Sequence, residues 1–103
     1  MDGNLLKYKE KEELNVFKMW VDDILTSEKG LEFRASFEKS LYDADLDWPD
    51  VRFAITNCEA IYPGFGQGCR VISGSTVDGD SISVAVAINF SKDRLKILKV
   101  WRN

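Results

Sequence analysis

The residues most able to do chemistry are four aspartates in a short acidic stretch around a tryptophan. Asp43, Asp45, Asp47 and Asp50 lie close together, with Trp48-Pro49 between the last two. Carboxylates at this density attract a cationic surface, and an aromatic side chain beside them supplies area for burial on binding. Carboxylates also resemble phosphates as partners of Lys and Arg. We therefore expect a recognition surface for a basic protein; the plain alternative is a solvated acidic loop.

The same stretch is also a candidate metal site. Asp43, Asp45 and Asp47 alternate like the first ligands of a calcium-binding EF-hand loop. The rest of that loop is missing, because Trp48 stands where Gly is needed and Ala54 stands where the bidentate Glu is needed. The two cysteines, in a chain without histidine, match no zinc motif. The sequence predicts no metal site and no cofactor.

A second candidate is the glycine-rich segment 63–68. Such loops hold phosphates when a helix N-terminus follows, but here a strand pattern follows and no Lys-Ser/Thr pair is present. We therefore expect a hairpin loop. Phe65 lies between two glycines at its tip, where little local structure can bury it. We expect Phe65 either to contact a partner or to fold back onto the sheet, and we include it among the partner-binding residues.

The composition offers little for catalysis. Without histidine the chain lacks the usual base near neutral pH, and its two cysteines have no histidine to activate them. We predict no catalytic residue, although an unassisted carboxylate site stays open. Cys58 and Cys69 are expected to be reduced thiols in a cytoplasmic protein. A disulfide is the alternative, because both residues flank one predicted hairpin loop.

Size and charge limit the remaining classes. The 103 residues fit one domain, and 45% of them are hydrophobic, which is enough for an ordinary core. No apolar run is long enough to span a membrane, and the first residues do not resemble a signal peptide, so we expect a cytoplasmic protein. The net charge of −3 disfavours a general nucleic-acid binder.

The N-terminal third predicts helices. Residues 10–28 have helical spacing of apolar positions and should end near Gly30. The expected buried face comprises Leu14, Phe17, Val21, Ile24 and Leu25, widened by Val16 and Trp20. Residues 31–42 fit two patterns. Phe33, Phe37 and Leu41 recur every four residues, as in a helix, whereas positions 31–37 also alternate as in a strand. We favour a second helix because the helical pattern continues to Tyr42.

The remaining residues predict a sheet. Residues 43–50 are expected to be a loop, since Trp48-Pro49 disfavours helix. The period then becomes two, with a slip near Asn57-Cys58 and a hairpin turn at Asp78-Gly79. The expected strands cover residues 51–56, 69–77, 82–90 and 95–101. The last is rich in Lys and Arg, which is typical of a charged edge strand.

The predicted fold is α+β, with two N-terminal helices packed on a four-stranded antiparallel meander. The helices should bury the apolar row from Ile82 to Phe90, while Ala85 and Ala87 lie on the opposite face. This order, ending in the strand Leu95–Arg102, resembles the cystatin/NTF2-like group of folds. The resemblance implies a ligand-binding domain or enzyme with a pocket between helices and sheet, and we keep this as the alternative function.

The size, the acidic balance and the Asp43–Asp50 stretch are also similar to bacterial toxin immunity proteins, including those of contact-dependent growth inhibition. That resemblance implies a small cytoplasmic antitoxin without catalytic residues, which inhibits its toxin by binding. The leading hypothesis is therefore an immunity protein against a toxin, plausibly a basic nuclease, that occludes the toxin's active site through Asp43, Asp45, Asp47, Trp48, Asp50 and Phe65.

Overall fold

Three helices and one five-stranded sheet make up the computed structural model, which describes the backbone of residues 2–103 and the side chains of residues 14–103. The general α+β class is confirmed, while the numbers of helices and strands differ from the prediction. The elements in chain order are α1 (Asp2–Ser27), β1 (Leu31–Phe33), α2 (Ala35–Ala44), α3 (Trp48–Thr56), β2 (Ala60–Pro63), β3 (Cys69–Ser75), β4 (Ser81–Asn89), a 3-10 turn (Phe90–Lys92) and β5 (Arg94–Arg102).

The sheet is mixed, with the strand order β1-β5-β4-β3-β2. Strands β2 to β5 form an antiparallel meander, and β1 pairs in parallel with β5 at the register Leu31↔Leu95. The prediction that the final strand lies at an edge is therefore wrong. The turn at Asp78-Gly79 joins β3 to β4 as predicted, with Gly79 at a φ of +89°.

Residues 31–42 contain both of the patterns that the sequence suggested. Residues 31–33 form β1, because they can extend the sheet along β5. Arg34 keeps an extended conformation, and α2 begins at Ala35. The predicted second helix thus exists, but it starts later and extends to Ala44, so it includes the first part of the predicted acidic loop.

Residues 48–56 form a helix. The prediction of a loop up to residue 50 and the prediction of a strand at residues 51–56 are therefore wrong. Asp47 caps the N-terminus of α3, and Pro49 lies in its first turn. Backbone amides of a first turn have no acceptor within the helix, so the missing N–H of proline costs nothing there. The buried residues Val51, Ala54 and Ile55 follow helical spacing, whereas Phe53 is substantially exposed. The slip near residues 57–58 marks the end of this helix, and β2 follows it at Ala60.

The imperfect alternation of β5 comes from a bulge. Ala85 pairs with Lys99 and Val86 pairs with Ile97, so Leu98 has no partner on β4. An extra residue restores the phase, and Val100 returns to the same face as Ile97.

The core lies between the inner face of the sheet and helices α1 and α3. Within the expected face of α1, Val16 is exposed rather than buried and Trp20 is partly buried. Phe90 was expected at the end of the buried row of β4, but it is exposed because it lies in the 3-10 turn beyond that strand. The fully buried cluster comprises Phe17, Val21, Ile24, Leu25, Phe37, Val51, Ala54, Ile55, Cys58, Ile72, Ile82, Val84, Val86, Leu95, Ile97 and Val100.

Helix α2 covers the edge of β5 that β1 leaves open. The buried Ser40 hydroxyl donates to the Phe37 carbonyl at 2.7 Å and accepts a hydrogen bond from the Val100 amide at 3.1 Å. The Arg34 amide donates to the Ile97 carbonyl at 2.9 Å. These contacts satisfy backbone groups of β5 that would otherwise be unpaired inside the fold.

Helix α3 packs directly against β3 at Gly74. A Cβ atom at this position would overlap the carbonyl group of Ala54. The absence of a side chain therefore lets the backbone of α3 approach the sheet closely enough to bury Val51 and Ile55.

We expect Gly74→Ala to destabilise the protein by about 3 kcal/mol, because the new methyl group forces α3 away from β3. Gly79→Ala is the control. Gly79 also has no side chain, but nothing lies within 4 Å of the position its Cβ would occupy. Its cost should be only the ~1–2 kcal/mol of a left-handed backbone conformation. Urea unfolding measures both variants, and equal losses would contradict the close packing of α3.

Candidate functional site

The acidic stretch forms the end of α2, a short linker and the start of α3. Asp43 is exposed on the last turn of α2, and Asp45 is the exposed C-cap residue, with a left-handed backbone at φ 54°. Asp47 is exposed at the N-cap of α3, while Trp48 and Asp50 are partly buried in its first turn. The structure thus brings five of the six predicted partner-binding residues together.

Two of these carboxylates make a capping box. The Asp50 amide donates to the Asp47 carboxylate at 3.2 Å, and the Asp47 amide donates to the Asp50 carboxylate at 3.3 Å. Each carboxylate satisfies a backbone donor that the helix itself leaves free. Asp47 and Asp50 therefore have a structural role, whereas no hydrogen bond or ion pair is found for the side chains of Asp43 and Asp45 within the described residues.

Trp48 is part of an aromatic cluster. Its ring meets those of Phe33 and Phe37 edge to face, with centroids 4.9 Å and 6.2 Å apart, and the two phenyl rings stack at 5.6 Å. Such pairs stabilise packing beyond the area they bury. Trp48 thus holds the start of α3 against α2 and β1, and only part of its side chain faces the solvent.

The β3–β4 turn adds two aspartates that the sequence analysis did not include. The guanidinium of Arg102 donates to the carbonyls of Ala44 and Asp45 at 2.6 Å and 3.1 Å, and it pairs with the Asp80 carboxylate at 3.1 Å. Arg102 therefore joins the end of α2 to the turn that carries Asp78 and Asp80. We call the surface formed by Asp43, Asp45, Asp47, Asp50, Asp78 and Asp80 the acidic end.

The acidic end has the electrostatics of a crowded set of carboxylates. Desolvation is the largest of the effects that raise the pKa of the Asp50 carboxyl above its ordinary value, and together they outweigh the lowering by the Asp47 amide that donates to it. The side chain of Asp47 raises this pKa further through a hydrogen bond and through its charge. The negative charge of Asp78 acts in the same direction, so the turn lies within electrostatic reach of α3. Only one cation, Arg102, is paired with an aspartate of this surface among the described residues.

Phe65 lies at the opposite end of the sheet. Its loop precedes Cys69, which pairs with Ala87, whereas Arg102 beside the acidic end pairs with Ile82. Five residues of β4 separate these rows, which is roughly 17 Å. Phe65 is fully exposed and does not fold back onto the sheet. One surface patch of ordinary width therefore does not include both Phe65 and the acidic end.

The loop around Phe65 is nevertheless held by backbone hydrogen bonds. The Gly64 amide donates to the Cys69 carbonyl at 3.0 Å, and the Cys69 amide donates to the Gly66 carbonyl at 3.2 Å. Gly68, at a φ of +80°, accepts from the Ile88 amide at 2.8 Å. The hairpin loop is confirmed, and its glycines allow its tight course.

Both cysteines are free thiols. Cys58 is buried at the end of α3, and burial raises the pKa of its thiol despite the nearby positive charge of Lys18. Cys69 begins β3 opposite Gly64, so the two cysteines do not face each other across the hairpin. The reduced state expected from the sequence fits this arrangement, and the disulfide alternative does not.

A separate open cleft of about 620 Å³ lies between the end of α1 and the β4–β5 turn. Trp20 forms part of its wall, where its indole donates to the Asp93 carboxylate at 3.1 Å and its ring meets Phe90 edge to face. Lys29, Asp23 and Arg94 also line the cleft. Because its charges are mixed and its mouth is wide, the cleft does not define a chemical class of ligand.

We predict that Asp47→Ala destabilises the protein by about 1 kcal/mol, since the N-cap acceptor of α3 is lost. Asp47→Asn keeps an acceptor and should cost much less. Asp43→Ala removes an exposed carboxylate without a capping role and is the matched control. Thermal unfolding followed by circular dichroism measures all three. If Asp47→Ala and Asp43→Ala unfolded alike, the capping box would not stabilise α3.

We also predict a pH-dependent contribution from Asp50. Because its pKa is higher in the folded protein than in the unfolded chain, its contribution to stability is present below the unfolded pKa and is lost as pH rises through the folded pKa. Asp50→Asn removes this titration. The free energy of unfolding of wild type relative to Asp50→Asn should therefore fall as the pH rises from below the ordinary aspartate pKa of about 3.9 towards neutral. A constant difference in urea unfolding across this range would contradict the prediction.

Among the described residues, no group of three or more potential ligands is arranged to hold a metal ion, and no described helix has the length and apolarity needed to cross a membrane. Comparison with known proteins finds no significant match to a family model, a curated sequence or a solved structure.

Proposed function

We propose that this chain is a cytoplasmic binding protein that neutralises a toxic protein, as a bacterial immunity protein does. The observation that carries the proposal is the convergence of aspartates from two segments, 43–50 and 78–80, on one end of the fold. The partner surface would be cationic, as expected of a nuclease active site that binds phosphates. The mechanism would be occlusion of that active site, so the chain itself needs no catalytic group.

The arrangement of the carboxylates supports rapid association. Asp43, Asp45, Asp47, Asp78 and Asp80 are exposed at the same end of the molecule. A concentrated negative field steers a basic partner and raises the rate of encounter. The field is strongest for partners that approach this end, where Arg102 pairs with Asp80 and leaves the other aspartates of the acidic end without an ion pair among the described residues.

Apolar side chains near the aspartates supply area for burial. Tyr42, on the last turn of α2, is 86% exposed, and Val77 on the β3–β4 turn is 66% exposed. Aromatic residues at the centre of an interface often dominate its affinity. We therefore add Tyr42 to the partner-binding residues and assign Trp48 mainly to holding α3 in place.

The alternative is a cystatin/NTF2-like ligand-binding domain or enzyme with a pocket between helices and sheet. A pocket between helices and sheet would be walled by Val84 and Val86 on the sheet and by Val51 and Ile55 on α3. These side chains are fully buried in one continuous cluster, which favours a packed interior over a ligand pocket. Ala85 and Ala87 lie on the outer side of the sheet, away from this interior. The packing therefore ranks binding above this alternative.

The first experiment is a pull-down of the tagged protein from its native cells, followed by mass spectrometry. We expect a stoichiometric basic protein. The triple variant Asp43→Asn/Asp45→Asn/Asp78→Asn leaves the capping box intact. It should slow association with the captured partner by about tenfold or more and weaken its dependence on salt.

The charge-matched control is Asp22→Asn/Glu38→Gln/Glu59→Gln, which neutralises three exposed residues outside the acidic end. It should associate at nearly the rate of wild type, because the same change in net charge falls outside the surface that the partner approaches. Equal slowing of the two folded triple variants would remove the acidic end from the interface. Failure to recover any stoichiometric protein partner would contradict the proposed function.

A further inference from the structure

The face of the sheet that points away from the helices carries a regular pattern of large and small side chains. We call it the outer face. Paired residues of adjacent strands share a face, so the register defines its rows. Three rows run from β2 or its loop to β5: Ala60–Ser73–Ser83–Trp101, Tyr62–Val71–Ala85–Lys99 and Gly64–Cys69–Ala87–Lys96.

The tall side chains lie at the two sides of the outer face, and the middle is low. Tyr62 on β2 is 54% exposed and Trp101 on β5 is 37% exposed. The middle positions on β3 and β4 are Ser73, Ser83, Val71, Ala85, Cys69 and Ala87. Among residues 14–103, the helices pack with the buried residues of the sheet on its inner face, and α1 and α3 contribute to that one core.

We propose that a second copy of this chain stacks on the outer face, related by a two-fold axis parallel to the strands. Such an axis places β5 over β2 of the partner subunit and β3 over its β4. Trp101 then lies over Ala60 of the partner subunit, and Val71 lies over Ala85 of the partner subunit. Trp101 and Val71 therefore each meet an alanine, Tyr62 meets Lys99, and one pattern fits itself twice, as an isologous interface requires.

Charge selects this axis over its alternative. Lys99 lies over Tyr62 of the partner subunit, where the ammonium can contact the aromatic ring. The two Lys99 groups are on opposite sides of the interface, at roughly 17 Å from each other, which exceeds the Debye length at physiological salt. A two-fold axis perpendicular to the strands would instead place β5 on β5 and bring the lysines together.

Part of the polar middle of the outer face is already hydrogen-bonded within the chain. The Ser83 hydroxyl donates to the Asn103 side-chain oxygen at 2.7 Å, and the Asn103 amide group donates to the Ser81 hydroxyl at 2.8 Å. This part of the face therefore has internal hydrogen-bond partners and need not retain water in the dimer.

The area is sufficient for a modest dimer. Four strands of about seven residues cover roughly 20 Å by 20 Å. Because side chains project from both faces and add to the flat area, stacking would remove on the order of 1,000 Å² of total surface from water. This area is at the low end for specific interfaces. We therefore expect a dissociation constant that is roughly micromolar. The acidic end lies beyond the end of the strands and stays open, so dimerisation is independent of the proposed function.

Sedimentation equilibrium of the full chain between about 1 μM and 1 mM tests the proposal. Wild type should change from monomer to dimer across this range. Ala85→Glu places a charge in the low middle of the outer face and should weaken the dimer by about 100-fold or more. Tyr62→Ala removes the partner of Lys99 and should weaken it by about three- to thirty-fold.

Ser91→Glu is the charge-matched control, because Ser91 is exposed on the 3-10 turn outside the outer face. Circular dichroism verifies that each variant is folded.

A crosslinking experiment tests the axis with a short bismaleimide. The variant is Tyr62→Cys/Lys99→Cys, with Cys69→Ser. Its cysteines are about 14 Å apart within a chain and about 10 Å apart between stacked copies, so covalent dimers should form. Lys99→Cys with Cys69→Ser should not give them.

A wild-type protein that stays monomeric up to about 1 mM would overturn the proposal. So would a dimer that is equally stable in Ala85→Glu, or one that Lys99→Cys alone crosslinks efficiently. A monomer that binds an acidic peptide or single-stranded nucleic acid through Lys96 and Lys99 would assign the outer face to a different partner and would also contradict dimerisation.

Discussion

The capping box between Asp47 and Asp50 fixes where α3 begins, immediately after a short linker. The spacing of apolar residues in 48–56 then determines which side of this helix faces the sheet. Once the helix begins there, Val51, Ala54 and Ile55 point inward, and the close approach at Gly74 becomes possible. The same two carboxylates belong to the acidic end, so a substitution that changes binding there also changes the stability of α3.

Sequence patterns predicted the elements whose signals are local and long. Helix α1, the β3–β4 hairpin and the alternation of β4 and β5 fall into this group. Residues 51–56 were predicted wrongly because Val51 and Ile55 fit both a strand and a helix, and periodicity over six residues does not separate the two. Strand β1 was missed since three residues carry little pattern and their partner, β5, lies far along the chain.

The candidate site shows the same division. The clustering of Asp43, Asp45, Asp47 and Asp50 is visible in sequence, whereas the approach of Asp78 and Asp80 depends on the tertiary position of the β3–β4 turn. The packing of Trp48 against Phe33 and Phe37 also depends on the tertiary fold and is not visible from its place in a polar stretch. The sequence thus identified an acidic surface, and the fold determined which of its aspartates also stabilise the structure.

The parallel pairing of β1 with β5 has a consequence for synthesis on the ribosome. Residues of α1, β1 and α2 emerge early, but the Gly30 carbonyl and the edge of β1 receive their hydrogen bonds only from β5. Until β5 is made, the apolar face of α1 has an incomplete sheet to pack against, and the exposed surface can recruit chaperones. The nascent chain therefore completes its core only after translation has passed β5.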